Sequence, residues 1–101
     1  MKPPPLKPCE MAMVRTVFQL HPEIETATLF GSRAKGTHSE RSDVDIVLTG
    51  DVEPLRAEGI AAELDELPLP YQFDVQALAH IRSGSLLDHI RRVGIQSYPA
   101  P

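Results

Sequence analysis

Ten prolines in 101 residues decide where regular structure can stand in this chain. Each lacks a backbone donor and fixes φ, so helix interiors and central strands exclude it. Pro3, Pro4, Pro5 and Pro8 crowd the start, and Pro99 and Pro101 close the chain. Residues 1–8 therefore read as an extended, flexible Pro-rich lead rather than a docking peptide, and 99–101 as a tail. Residues 9–98 are left as one domain, about 90 residues long, punctuated at Pro22, Pro54, Pro68 and Pro70.

Hydrophobic spacing fills in the elements between those stops. Met11, Val14, Val17 and Phe18 recur at steps of three and four, one buried face of a helix that His21-Pro22 ends. Residues 26–30 are rich in β-branched and aromatic side chains and stop at Gly31-Ser32, which predicts a strand. Residues 44–49 predict a second. Leu55, Ile60, Leu64 and Leu67 predict a helix over 53–67, with Pro54 tolerated in its first turn and Gly59 weakening it by about 1 kcal/mol. Residues 71–78 predict a third strand. Ser85, with Asp88 three residues on, resembles a capping box. It would open a helix carrying Leu86, Leu87, Ile90 and Val93, with Arg91 and Arg92 in its last turn and Gly94 as its stop. Helices alternating with strands predict an α/β domain, a small mixed sheet of three to four strands flanked by helices.

Composition then removes whole classes of function. The length excludes a two-domain enzyme, and a lone cysteine excludes both an internal disulfide and a zinc site built on several thiolates. Ten Lys+Arg against 14 Asp+Glu, a net charge of -4, argue against a protein that coats nucleic acid. No apolar run approaches the ~20 residues of a membrane helix, and the Lys-Pro start has no signal-peptide core. The expectation is a cytoplasmic protein with no membrane attachment and no direct nucleic-acid ligand.

The chemistry concentrates in Gly31-Ser32-Arg33-Ala34-Lys35-Gly36 and Ser42-Asp43-Val44-Asp45-Ile46. Strand residues two apart share a face, so Asp43 and Asp45 would project together while Val44, Ile46 and Leu48 face the core. Carboxylates this close repel and raise one another's pKa unless a cation intervenes, and an all-oxygen ligand set suits Mg²⁺ or Mn²⁺. In the third strand Asp74 alternates with Tyr71, Phe73 and Val75. Were that strand beside residues 44–49, Asp74 would complete a triad able to hold two ions ~4 Å apart, an arrangement suited to phosphoryl or nucleotidyl transfer. Gly31-Ser32 supplies the complementary half: a glycine just after a strand lets backbone N–H groups approach a phosphate, and the Ser32 hydroxyl can donate to it. Arg33, Lys35 and Arg41 add local positive charge suited to a triphosphate. Each fragment alone is commonplace, since acids often cap strands and Gly-Ser is an ordinary turn. Together, Gly-Ser, ten residues and Asp-x-Asp should arise by chance in roughly one chain per thousand.

Phe30-Gly31-Ser32-Arg33-Ala34-Lys35-Gly36 with Ser42-Asp43-Val44-Asp45-Ile46 resembles the signature of the DNA polymerase beta-like nucleotidyltransferase superfamily. More narrowly, the chain resembles its minimal nucleotidyltransferase (MNT) proteins, from the first helix to the closing 94–98 segment. The resemblance implies an NTP, most often ATP, bound with two Mg²⁺ ions. Asp43 and Asp45 would bind both metals, and Asp74 would bind one and help deprotonate the acceptor. Gly31 and Ser32 would hold the β/γ-phosphates, with Arg33 and Lys35 nearby. It further implies an antitoxin that transfers AMP from ATP to a tyrosine of a helical HEPN-domain toxin. Size agrees, because a chain with no acceptor-binding domain must borrow one, as a homo- or hetero-oligomer. Two other readings remain open at this point: a non-enzymatic antitoxin that acts by occlusion, and an adenylyltransferase acting on a small molecule.

The remaining chemistry-bearing residues are expected to play ordinary parts. His21, His38, His80 and His89 show no metal-ligand spacing and read as surface residues, with His38 set apart by its place in the phosphate-loop segment. Cys9 has no histidine partner and reads as a structural thiol. Tyr98 reads as an aromatic anchor rather than an acceptor of self-modification.

Overall fold

Among the described residues the elements run in this order: α1 (Pro8–Gln19), β1 (Ile24–Phe30), β2 (Val44–Gly50), α2 (Pro54–Asp65), β3 (Phe73–Ala77), α3 (Gly84–Val93) and β4 (Ile95–Tyr98), with a 3-10 turn at Leu78–His80. The computed structural model describes residues 6–31, 34, 36 and 43–99. Residues 1–5 of the expected lead, Ser32, Arg33, Lys35, His38 and Arg41 of the expected phosphate loop, and the last two residues lie outside the described ones. Among the described residues, no helix is long and apolar enough to cross a membrane.

The helices and strands expected from spacing stand within about two residues of their predicted bounds. Three details differ. The fold begins earlier than the Pro-rich start suggests, since Leu6 is buried in the core and Pro8 is the first residue of α1, where its missing donor costs nothing. The cap of α3 is Ser83, not Ser85: the Ser83 hydroxyl accepts the Leu86 N–H at 3.3 Å, and the helix starts one residue sooner. The closing segment is a fourth strand, too short and too exposed to show a period of two.

Glu10 shows how the start of the chain is held. Its buried carboxylate accepts the Lys7 N–H at 2.9 Å and the Tyr71 hydroxyl at 2.8 Å, tying the first turn of α1 to the entry of β3. Glu10→Ala should cost about 2 kcal/mol in chemical denaturation, because hydrogen bonds to a charged group are lost. An unchanged midpoint would show that the tie contributes nothing to stability.

The strand order is β3-β2-β1-β4. β1 runs antiparallel to β2 and β4, whereas β2 and β3 are parallel, joined by α2 as the crossover. One sheet face is apolar: Val44, Ile46 and Leu48 are buried with Val14 and Phe18 of α1 and with Ile60 and Leu64 of α2. Tyr98 completes that layer as the expected anchor, its ring 5.5 Å from that of Phe18. His21 is a correction. Rather than lying at the surface, its ring is 11% exposed and joins Glu63 of α2 at 2.7 Å and Glu23 at 3.5 Å. The opposite sheet face carries Phe30, Asp45, Val47 and Asp74, and the candidate site lies there.

Candidate active site

The site forms where β1 ends and where β2 and β3 begin. Asp45 and Asp74 are direct partners in the parallel ladder, so their side chains leave the same face of neighbouring strands about 4.8 Å apart. Asp43 stands one residue before β2 and is exposed, as is Asp74, while Asp45 is half-buried. The condition the sequence left open, that the third strand lie beside the second, is met with no offset between the two acids.

The electrostatics follow from that placement. Burial first, then the Asp74 and Asp43 carboxylates, hold the Asp45 carboxyl above the usual carboxylate range, and His89 pulls it partly back. Two neighbouring carboxylates thus act on Asp45 at the end of the sheet. They do not close into a ligand shell: among the described residues, no three His, Cys, Asp or Glu side chains are arranged to hold a metal ion. The donor chemistry nevertheless fits a divalent cation, because hard carboxylate oxygens meet at Asp45, where His89 offsets only part of the raising effect.

Gly31 is the second component. It turns the chain at φ +76°, a conformation that glycine adopts freely. A Cβ at Gly31 would overlap the Asp45 carboxylate, so the missing side chain is what lets the strand end pass directly over that acid. Asp45 and Phe30 are cross-strand partners, which brings the turn to this carboxylate. The Gly31 N–H donates to His89 Nε2 at 3.2 Å, so in this conformation it is engaged by a side chain.

His89 is the residue that sequence reasoning missed. It comes from α3, accepts the Gly31 amide and packs edge-on against Phe30, with ring centroids 6.3 Å apart and planes at 79°. A signal was present in the helical spacing. His89 is three residues after Leu86 and four before Val93, on the side of α3 that carries its apolar stripe. Cys9 is exposed, and His80 is near Glu53 at 3.7 Å, a pair outside this site.

Comparison with known proteins places this arrangement. No curated protein matches the sequence. A toxin–antitoxin structure with AMP-PNP superimposes with a TM-score of 0.72 over 88% of this chain and 72% of that one, at 22% identity. A complex of a tri-AMPylated Shewanella oneidensis HEPN toxin with its MNT antitoxin gives 0.68 over 89% and 70%, at 17% identity. The MntA-HepT toxin–antitoxin gives 0.70 over 91% and 72%, also at 17% identity. At such identities the likeness is one of fold: a four-stranded mixed sheet with helices. The model of the family described as polymerase beta nucleotidyltransferase matches residues 13–98, nearly the whole folded chain, and the protein belongs to that family.

Proposed function

We propose that the protein moves AMP from ATP onto a hydroxyl, that of a tyrosine on a helical HEPN-domain partner, with the α–β phosphoanhydride bond broken and pyrophosphate released, and thereby acts as an antitoxin. The observation that carries the reading is the Asp45–Asp74 pair, set in register at the mouth of the Gly31 turn within a nucleotidyltransferase fold. The matched toxin–antitoxin structures, one with AMP-PNP and one with an AMPylated toxin, support the choice of nucleotide and partner.

In this reading Asp43, Asp45 and Asp74 hold two divalent ions, Mg²⁺ or Mn²⁺. When bound, the ions neutralise charge on the triphosphate and on the attacking and leaving oxygens. On the same reading Asp74, the exposed member of the pair, takes the proton of the incoming hydroxyl. Gly31 leaves room for the Asp45 carboxylate at the end of β1. Ser32, Arg33 and Lys35, which lie outside the described residues, are assigned to the β/γ-phosphates by their place in the motif. Catalysis then rests on alignment and charge neutralisation, with no covalent intermediate on the protein.

The test is to mix the full chain with its HEPN partner and Mg-ATP and to weigh the partner by intact mass spectrometry. A gain of whole adenylyl groups, mapped to tyrosine by fragmentation, is the expected result. Tight complex formation with no mass gain would instead establish an antitoxin that works by occlusion.

A further inference from the structure

Helix α3 has more strongly segregated apolar and polar sides than α1 or α2, yet none of its residues is buried. Its attachment to the sheet is slight, and its best-defined contacts with the end of β1 are made by one side chain. His89 reaches the last residue of the strand through an edge-on ring contact with Phe30 and reaches the turn through the Gly31 amide. Because Nε2 is the acceptor there, the neutral ring carries its proton on Nδ1. The same glycine lies against the Asp45 carboxylate with no room for even one further carbon. Gly31 is therefore held on two counts: the Asp45 carboxylate leaves it no room on that side, and its amide is tied to His89.

We propose that His89 is a positioning residue of the site: by holding the Gly31 turn against the sheet, it sets where the Asp45 carboxylate stands. The imidazole need not touch the nucleotide or the acceptor, because its effect passes through the glycine. This rests on the reading of Asp45 as a group of the transfer site. It also refines the part of Gly31, whose amide serves His89 and whose missing side chain serves Asp45.

Two conservative replacements separate positioning from bulk stability. A glutamine places its carbonyl oxygen close to where Nε2 stands, whereas an asparagine carbonyl reaches only as far as Nδ1. His89→Gln should keep the bond to Gly31 and His89→Asn should lose it, while both present a neutral amide to the same exposed helix. In NMR spectra of the full chain alone, the Gly31 amide proton and the Asp45 carboxyl carbon should shift in His89→Asn and remain near wild type in His89→Gln. In the transfer assay, kcat/KM should fall about tenfold in His89→Asn and stay within about twofold in His89→Gln, with equal unfolding midpoints for the two variants. Gly31 and Asp45 signals unmoved in His89→Asn, or equal impairment of both variants, would overturn the proposal. If the wild-type protein transfers nothing, the functional reading fails while the NMR comparison still decides the role of His89.

Discussion

Replacing Asp45 by Asn is expected to lower transfer by about a thousandfold while making the metal-free protein more stable. The loss follows because a carboxylate that would hold the cations neutralising the triphosphate is worth several kcal/mol of transition-state stabilisation, and an amide oxygen carries no charge with which to hold them. The gain follows from the state of the folded acid. Burial and the neighbouring Asp74 and Asp43 raise the Asp45 pKa. A carboxyl whose pKa is raised by folding binds more protons in the folded state than in the unfolded one. Its contribution to stability is fully present below the ordinary carboxylate range, near pH 4, and is lost as pH rises through the elevated folded value. At neutral pH the charge on Asp45 is thus a standing cost, which Asn removes without changing the shape of the side chain. Thermal unfolding without divalent metal should show a higher midpoint for Asp45→Asn at pH 7, with the gap closing as the pH is lowered past 4. Millimolar Mg²⁺ or Mn²⁺ should raise the midpoint of the wild type and do little for the variant. A variant less stable than wild type at neutral pH would mean that the carboxylate is held by favourable contacts rather than crowded by its neighbours.

Gly31→Ala should be comparably damaging to transfer, for a steric reason. The φ of +76° already disfavours a side chain, by about 1 kcal/mol or more. The added methyl would also meet Asp45, a side chain packed between the turn and the neighbouring strand. Either the turn lifts away, which breaks the bond to His89, or the carboxylate swings out of line with Asp74. Both outcomes disturb the same pair, so the expected loss is at least about a hundredfold, with a modest fall in stability of about 2 kcal/mol. A crystal structure of the variant with Asp45 and the Gly31–His89 bond unmoved, together with normal transfer, would remove Gly31 from the machinery. The two substitutions are not independent. They touch each other directly, so the double variant should lose less than the product of the two separate losses.

A large part of this was legible in the chain because it depends on local geometry. Alternation along residues 44–49 assigned Val44, Ile46 and Leu48 to the core and Asp45 to the other face, and the burial of those three side chains agrees. The period of Met11, Val14, Val17 and Phe18 marked the buried side of α1 in the same way. Other features had no local signal. Residues 95–98 alternate too weakly to announce a strand, and β4 forms because the outer edge of β1 offers unpaired backbone groups. His21 gave no hint of its pairing with Glu63, forty-two residues away.

The residues alone determined which chemical groups are available and which of them share a face, because a strand repeats every two residues wherever it lies. They named Asp43, Asp45, Asp74 and Gly31 and left their meeting conditional. Tertiary structure decided the meeting. The crossover through α2 sets β3 beside β2 with Asp74 level with Asp45, and α3 returns across the end of β1 to set His89 on Gly31. Strand order and register are decided by how the whole chain buries its apolar faces. Packing of that kind is a property of all the elements together, and no short stretch of sequence carries it.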